Sequence, residues 1–276
     1  MAAGTEPETA AERARREGWR GLFDDVASLY DATRQGYPEE IVGTVIATAG
    51  LGSVPSGSAA AAAAAAAPVV LEIGCGTGQL TRQLSGRGFN LTAIDLGAAM
   101  VAAARRNVPD PTVTFEACSF EEFAGSGPFD LIVSATAFHW VDPAVGWAKT
   151  ARLLRPGGWL ALLSNGERYA EPLRTQLWEL WQKYSRQPVQ LSYEPRWVAG
   201  LRETSLFGEP VEFQHESELR LPAETVLGLE RTRGTFLSYS KQDQDAFTAE
   251  LAALLEPTPY LDVVQDTFVS MAPVVG

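Results

Sequence analysis

A glycine-rich stretch in the first third of the chain is the clearest candidate for ligand binding. It reads Glu72-Ile73-Gly74-Cys75-Gly76-Thr77-Gly78 and lies between a short apolar run and a stretch that suits a helix. Amide groups at a helix N-terminus favour a polar or anionic part of a ligand, and glycine lets that ligand approach the backbone closely. A nicotinamide-type loop would need a third glycine where Gln79 or Thr81 stands. A phosphate-binding loop ending in Gly-Lys-Ser or Gly-Lys-Thr is absent from the sequence as well.

Asp95 is the second residue whose type and position suggest binding chemistry. It follows Gly78 by 17 positions and ends the second predicted strand. A carboxylate at this place can accept hydrogen bonds from both hydroxyls of a ribose. The alternative is that Asp95 caps the next helix. Because the glycine loop lies upstream, we favour ribose binding.

His139 is the candidate for acid–base chemistry, since it follows the fourth predicted strand. Ligands of parallel sheets bind at the carboxyl edge of the strands, and imidazole titrates near neutrality. His139 can therefore be a general base, a hydrogen-bonding partner of the substrate, or a structural residue of its Phe-His-Trp segment. We expect His215, which has charged neighbours, at the surface. Cys75 is expected to be a small filler of the glycine loop.

The elements that would position these residues alternate between strand and helix. Alternation of this kind predicts an α/β fold with a Rossmann-like, mostly parallel sheet and helices on both faces. Two late strands, at 211–221 and 263–271, bring the sheet to seven strands with an antiparallel edge. Helices predicted at 171–184, 223–231 and 243–255 would form a lid over the site. The core strands are predicted at 69–73, 91–94, 113–116, 130–134 and 159–163, and their helices at 79–87, 98–106 and 144–154.

Length and composition narrow the class of protein. The 276 residues, 46% of them hydrophobic, suit one α/β domain, predicted here over residues 21–276. The formal net charge of −12 disfavours nucleic acid as a partner. Two distant cysteines, no signal peptide and no apolar run long enough to span a bilayer predict a cytoplasmic protein without a disulfide framework, metal cluster or membrane partner. We expect a frayed tail at 1–20, a low-complexity insertion at 51–67, a cofactor-binding core at 69–164 and the lid within 165–260.

Four motifs, in order and spacing, resemble those of class I S-adenosylmethionine-dependent methyltransferases. The flanks are similar to the small-molecule branch that includes trans-aconitate methyltransferase, through Phe23, Tyr30-Asp31, Arg34, Tyr37-Pro38 and Phe138-His139-Trp140-Val141. The resemblance covers about residues 69–164. Its motifs are Val70-Leu71-Glu72-Ile73-Gly74-Cys75-Gly76-Thr77-Gly78, Ala93-Ile94-Asp95, Phe129-Asp130-Leu131-Ile132-Val133 and Leu153-Leu154-Arg155-Pro156-Gly157-Gly158.

This resemblance implies S-adenosylmethionine as the cofactor and assigns contacts to it. The loop residues would line its methionine and ribose portions, while Glu72 would organise the loop or bind the methionine ammonium. The family often has an acidic residue after strand three that accepts from the adenine amino group, whereas this chain has Ala117-Cys118-Ser119-Phe120. His139 is the catalytic candidate. The implied cofactor contacts are Glu72, Gly74, Cys75, Gly76, Thr77, Gly78, Asp95 (ribose), Leu96 and Met100 (adenine), Ser119 and Phe120 (adenine), Ser134 (methionine end), Tyr30 and Arg34.

Methyl transfer from a sulfonium is a direct displacement, in which the protein supplies position and excludes water. We expect O-methylation of a small carboxylate or hydroxyl compound by a monomer or homodimer. The alternatives are a non-catalytic cofactor-binding regulator and an enzyme that methylates proteins; a nucleic-acid enzyme is disfavoured by the acidic charge and by the lack of an Asn-Pro-Pro-Tyr-type motif. An aromatic-rich region forms either the lid core or an apolar acceptor pocket beside Arg34, Arg196 or Arg202. Its members are Trp178, Trp181, Tyr184, Tyr193 and Trp197.

Overall fold

A seven-stranded sheet organises the chain. The computed structural model describes residue 18 and residues 22–52, 67–185 and 196–275, without the side chains of 196–198. The strands occur in the order β3-β2-β1-β4-β5-β7-β6, which confirms the predicted seven-stranded Rossmann-like sheet. Their bounds are β1 Val69–Ile73, β2 Asn90–Asp95, β3 Val113–Ala117, β4 Phe129–Ala135, β5 Leu154–Tyr169, β6 Val211–Pro222 and β7 Tyr260–Pro273.

The parallel half of the sheet creates the place where a ligand can bind. Strand β1 pairs in parallel with β2 on one side and with β4 on the other. The chain therefore adds β2 and β3 on one side of β1 and then returns to add β4 and β5 on the other side. Such a switch point leaves a crevice at the carboxyl ends of the two central strands. The glycine loop follows β1 directly at this crevice.

The other end of the sheet is antiparallel, as predicted, but β5 and β7 are both longer than expected. Strand β7 pairs antiparallel with both β5 and the edge strand β6. We predicted β5 only over 159–163, whereas it continues to Tyr169 because it pairs with β7 as far as Tyr169↔Val263. The extension was not recognised because Gly166, Glu167 and Arg168 break the apolar run. These residues alternate between the two faces of a sheet that is only partly covered.

Helices cover both faces of the sheet. One apolar core packs α2, α3 and α4 against the strands, and a second packs α5 and α7 on the opposite face. Helix α3 ends at Leu84 rather than at 87 as predicted, because Gly86 adopts a positive φ of 73°. The helices of this part are α1 Ala27–Thr33, α2 Glu39–Thr48, α3 Gln79–Leu84, α4 Ala98–Asn107, α5 Pro143–Leu153 and α7 Arg196–Glu203.

The helices predicted to form a lid pack together in a third apolar core. It consists of α6 Leu173–Tyr184, α8 Ala223–Arg231, α9 Gly234–Leu237 and α10 Lys241–Leu255. Trp181 is buried with its ring centroid 4.6 Å from that of Phe247, and Tyr184 packs on the same ring at 5.7 Å. These two aromatic residues therefore belong to the lid core. Trp178 is 36% exposed, and Arg202 pairs with Glu212.

Several sequence-based predictions concern residues that the structure does not describe. Most of the predicted tail (1–20) and insertion (51–67) lies outside the described residues, as do Tyr193 and the side chains of Arg196 and Trp197. Among the described residues, no helix combines the length and apolar character that crossing a membrane requires.

An N-terminal strap, residues 24–37, connects the sheet to the lid. Its helix α1 packs against α8 so closely that a Cβ added at Gly228 would lie 2.3 Å from Cγ2 of Thr33. Further along, the Arg34 guanidinium donates to the Thr232 hydroxyl and carbonyl oxygen, both at 3.1 Å. The strap and the end of α8 therefore form one packed unit beside the crevice.

We predict that Gly228→Ala lowers the free energy of unfolding by about 1–3 kcal/mol, because the added methyl overpacks the contact with Thr33. Gly43→Ala is the matched control, since Gly43 lies inside α2 with open space around its Cα. That change should raise stability by up to about 1 kcal/mol through helix propensity. Urea unfolding of both variants checks this, and equal shifts would contradict the packing described.

Candidate active site

The glycine loop is held against β2 and β4 by contacts that require its glycines. The amides of Gly74 and Cys75 both donate to the carbonyl oxygen of Ile94, at 2.8 and 2.9 Å. Gly74 has a φ of 75°, and a Cβ there would lie 2.2 Å from the Cβ of Ala137. Only glycine meets both conditions. The loop is thus fixed between two strand ends before any ligand binds.

Asp95 bonds to the glycine loop and to the residue that precedes the next helix, but it does not cap that helix. Its Oδ2 accepts from the amide of Gly76 at 2.9 Å, and its Oδ1 accepts from the amide of Gly97 at 2.8 Å. The N-terminus of α4 is capped by Asp24 of the strap, whose Oδ1 accepts from the amides of Ala99 and Met100. Burial raises the pKa of Asp95, while the two amide hydrogen bonds oppose that rise. Each carboxylate oxygen keeps a lone pair for a further donor.

Glu72 is a buried carboxylate beneath the loop. Only 1% of the residue is exposed, and its Oε2 accepts from the Thr81 hydroxyl at 2.6 Å. Burial raises the pKa of Glu72 from 4.5 to about 7, and the Thr81 hydrogen bond only partly offsets this effect. A cationic group beside Glu72 would favour its ionised form.

A cleft of about 480 Å³, including its open mouth, lies over the loop. Of the residues predicted from the sequence to bind cofactor, six line it: Tyr30, Arg34, Glu72, Gly74, Cys75 and Gly76. The sequence analysis did not place the remaining lining residues in the site; these are Gln35, Tyr37, Gln79, Leu80, Ala135, Thr136, Asn165 and Glu167.

The strap supplies the cation of the cleft wall. The Arg34 guanidinium carbon lies 5.2 Å from the centroid of the Tyr30 ring, and burial raises the pKa of Tyr30. Arg34 uses Nε and Nη2 on Thr232. In the part of the chain that the structure describes, its Nη1 has no recorded hydrogen-bond partner, so this donor remains for an anionic group.

Tyr37 and Thr136 form a second polar pair on the cleft wall. Their hydroxyl oxygens are 3.1 Å apart, and burial raises the pKa of Tyr37 well above its usual value. Thr136 has a φ of 55°, a conformation that is costly for a β-branched residue. This turn after β4 brings Ala137 against Gly74. Gln83 holds the strap in place by accepting from the Tyr37 amide at 2.9 Å.

A buried ionic network behind Glu167 was not predicted. Glu230 is fully buried and accepts from Arg233, from the Tyr169 hydroxyl at 2.8 Å and from the Trp181 indole at 3.0 Å. Arg233 also donates to Glu167 at 2.8 Å. The favourable interaction with Arg233 keeps the pKa of Glu230 low despite its burial. The network therefore links the lid core to the cleft wall.

Asp95 and the remaining predicted residues lie outside the cleft lining, although Asp95 contacts it through the hydrogen bond from the Gly76 amide. Thr77 and Gly78 continue the loop into α3, and the Ser134 hydroxyl donates to the carbonyl of Ile73 at 2.8 Å. Met100 is buried beneath the start of α4, while Leu96 is 41% exposed. The predicted adenine contacts Ser119 and Phe120 lie in the turn after β3.

His139 lies in a short helical turn after β4, beside the cleft rather than on its lining. Its ring centroid is 4.6 Å from that of Trp140. Burial lowers the pKa of His139 to about 4. The imidazole is therefore neutral at physiological pH, and it is a weak base.

The family match covers the glycine loop and Asp95 but not the strap or the end of β5. Residues 71–162 match the family model described as a methyltransferase domain. An uncharacterized methyltransferase of Mycobacterium tuberculosis (strain H37Rv) is 33% identical over 143 residues, which make up 52% of this chain and 51% of that protein. A malonyl-(acyl-carrier protein) O-methyltransferase of Anoxybacillus flavithermus is 34% identical over 109 residues, 38% of this chain and 42% of that protein.

The chain thus spans about half the length, or less, of these relatives. A solved structure from Anaeromyxobacter dehalogenans, whose proposed activity is that of a type II methyltransferase, superimposes with a TM-score of 0.58 at 22% identity, covering 87% of this chain and 97% of that one. It confirms the fold. The sequence matches indicate a methyltransferase domain within this chain, and the likeness to the trans-aconitate branch stays a prediction.

The raised pKa of Glu72 predicts a pH dependence of stability. Between pH 4.5 and about 7 the folded protein retains a proton on Glu72 that the unfolded chain releases. The free energy of unfolding should therefore fall as pH rises through this window, by on the order of 3 kcal/mol. Glu72→Gln should remove this contribution, whereas Glu209→Gln, at an exposed site, should keep it. Parallel urea titrations between pH 4.5 and 8 measure the effect; identical profiles for wild type and Glu72→Gln would contradict it.

Proposed function

We propose that this chain binds S-adenosylmethionine in the cleft and transfers its methyl group to an oxygen of a small molecule. The observation that carries the proposal is the arrangement of Glu72, Gly76 and Asp95 around one loop. Gly76 has a φ of 54°, and its amide is the donor that Asp95 accepts. A ligand that lies across Gly76 is therefore close to the Asp95 carboxylate and to Glu72 in the cleft lining.

The charges of the cleft suit the polar groups of this cofactor. The methionine part carries an ammonium and a carboxylate, which Glu72 and the free donor of Arg34 match in sign. The ribose diol matches the two oxygens of Asp95, each of which retains a lone pair. Charge-assisted hydrogen bonds of this kind are stronger than neutral ones. The cleft lining, together with Asp95 beside Gly76, thus offers a complementary group for each polar part from the methionine end to the ribose.

The residues of this chain bind and orient the cofactor and the acceptor rather than activate the acceptor chemically. The cofactor supplies an electrophilic methyl group on a positively charged sulfur. In the transfer, a lone pair of the acceptor oxygen forms the new bond to the methyl carbon, and the electrons of the carbon–sulfur bond pass to sulfur. Positioning of the two reactants accounts for much of the catalysis in such a step. No proton has to leave when the acceptor is a carboxylate.

The environment of His139 favours an acceptor that is already ionised. With a pKa of about 4, its imidazole is poorly suited to removing a proton from an alcohol. A carboxylate acceptor needs no base, which is why we propose a small carboxylic acid as the acceptor. The relative named as an O-methyltransferase is consistent with transfer to oxygen. We further propose that the protein acts in the cytoplasm.

Methyl transfer from labelled S-adenosylmethionine to matched carboxylic acids, phenols and amines tests the reaction. A product formed from a carboxylic acid is expected. Binding of the cofactor without any methylated product would favour the alternative of a non-catalytic cofactor-binding protein. Methylation of cell proteins alone would point to a protein substrate instead.

Asp95→Asn should weaken the binding of S-adenosylhomocysteine, because the amide accepts at only one atom and would lose a charge-assisted hydrogen bond. That loss corresponds to roughly 1.5–3 kcal/mol, which calorimetry resolves. Asp262→Asn, at an exposed position of β7, controls for the general change in charge. Equal affinities of wild type and Asp95→Asn would contradict the assignment of Asp95 to the ribose.

His139→Ala should leave affinity for S-adenosylhomocysteine unchanged and lower turnover of a carboxylate acceptor by the same small factor from pH 6 to 9. A general base would behave differently: its removal typically costs about a hundredfold or more, and the loss would shrink as pH approached the pKa of the acceptor. Initial rates across that pH range distinguish the two. A large, pH-dependent loss would contradict a carboxylate acceptor.

A further inference from the structure

Lys149 is a buried lysine whose hydrogen-bond partners are main-chain carbonyls. It belongs to α5, and only 7% of the residue is exposed. Its ammonium donates to the carbonyl oxygens of Phe123 at 2.6 Å and Glu121 at 3.1 Å. It also lies 5.2 Å from the centroid of the Phe120 ring. Burial lowers the pKa of Lys149, so this placement is costly unless each contact is kept.

All of these contacts go to one short turn, residues 118–123, which we call the β3 turn. The turn is also stabilised by internal hydrogen bonds. The Ser119 hydroxyl donates to Glu122 at 2.9 Å and accepts from the Glu122 amide. Lys149 supports the other side. Without it, both carbonyl oxygens would lose this donor, and the loss is most unfavourable at Phe123, where the contact is buried. The shape of the β3 turn therefore depends on Lys149.

The β3 turn lies next to the proposed ribose site. The amide of Cys118 donates to the main-chain carbonyl of Asp95 at 2.9 Å, and β3 is the neighbour of β2 in the sheet. A nucleoside that places its ribose on the Asp95 carboxylate can direct its base toward this turn. The first three residues of the turn are Cys118, Ser119 and Phe120, so its main-chain groups and the Ser119 hydroxyl are available for recognition, and Glu122 holds that hydroxyl in place.

We propose that Lys149 is a positioning residue that sets the selectivity of the site for adenine by holding the β3 turn in shape. It acts through the turn and does not touch the ligand. The inference rests on the proposed cofactor, and it assigns a role in base recognition to a side chain on the far side of the turn. A role in folding alone would weaken all nucleoside ligands equally and leave their ratio unchanged.

The test compares S-adenosylhomocysteine with S-inosylhomocysteine, which differs only in the base. Inosine replaces the amino group by a carbonyl and adds a proton on the adjacent ring nitrogen, so it inverts the donor and acceptor pattern of adenine. Calorimetric dissociation constants are measured for wild type, Lys149→Met and Thr150→Val. Thr150 is the matched control because it is the next residue of α5 and is fully buried, and its hydroxyl has no partner among the described residues.

Wild type and Thr150→Val should prefer the adenine ligand by roughly tenfold, as expected for one or two correctly paired hydrogen bonds. In Lys149→Met this ratio should fall to about threefold or less. Lys149→Gln, which keeps one amide donor for the carbonyls, should give an intermediate ratio. An unchanged ratio in Lys149→Met, or no base preference in wild type, would overturn the proposal.

Two further outcomes separate this inference from the proposed function. If wild type binds neither ligand, the proposed cofactor itself is wrong. If wild type binds with the expected preference but neither Lys149 variant folds while Thr150→Val does, Lys149 serves stability and the positioning role is overturned. Circular dichroism of each variant before titration decides which case applies.

Discussion

The close contact between Gly74 and Ala137 is the constraint on which the rest of the site depends. It joins the end of β1 to the turn after β4, at the point where the direction of the sheet connections reverses. Both sides adopt left-handed backbone conformations, at Gly74 and at Thr136. A side chain at Gly74 would separate the two strand ends. The contact fixes the start of the loop, which places the backbone of Gly76 in the cleft lining.

Electrostatics then order the cleft along its length. Glu72 lies buried below the loop, Asp95 stands at the end of the neighbouring strand, and Arg34 approaches from the strap. Two carboxylates and a guanidinium close to one loop suit a ligand that carries both signs of charge. The lid reaches this arrangement through two consecutive residues, because Thr232 accepts from Arg34 and Arg233 donates to Glu167. Changes in the packing of the lid can therefore reach the cleft wall through these two contacts.

The parts of this structure that were predictable from sequence are those with a local signal. The glycine loop after β1 and Asp95 at the end of β2 could be located because short apolar runs and turn residues bracket them. Cleft residues such as Glu167 and Thr136 carry no such pattern. Glu167 lies in a stretch of β5 that its partner strand β7 stabilises, more than ninety positions away, and local periodicity cannot reveal such a partner.

Buried polar contacts were the other class that sequence could not reveal. Asp24 caps a helix 75 residues further along the chain. The sequence alone therefore could not exclude that Asp95 caps that helix. Lys149 and Glu230 each look like surface residues of amphipathic helices until their partners are known. Tertiary hydrogen bonds of this kind decide the geometry of the site, yet they leave no trace in the spacing of residue types.

The most direct test of the account is the affinity of Gly76→Ala for S-adenosylhomocysteine. A Cβ at Gly76 would make only ordinary contacts, 3.6 Å from Tyr30 and Gln79, so the protein itself has room for it. Gly86→Ala is the matched control, because Gly86 also has a positive φ and open surroundings but lies beyond α3. The account predicts that both variants fold with similar stability, that Gly86→Ala binds as wild type does, and that Gly76→Ala loses most of its affinity in calorimetry. Wild-type affinity in a folded Gly76→Ala protein would contradict the placement of the cofactor on this loop.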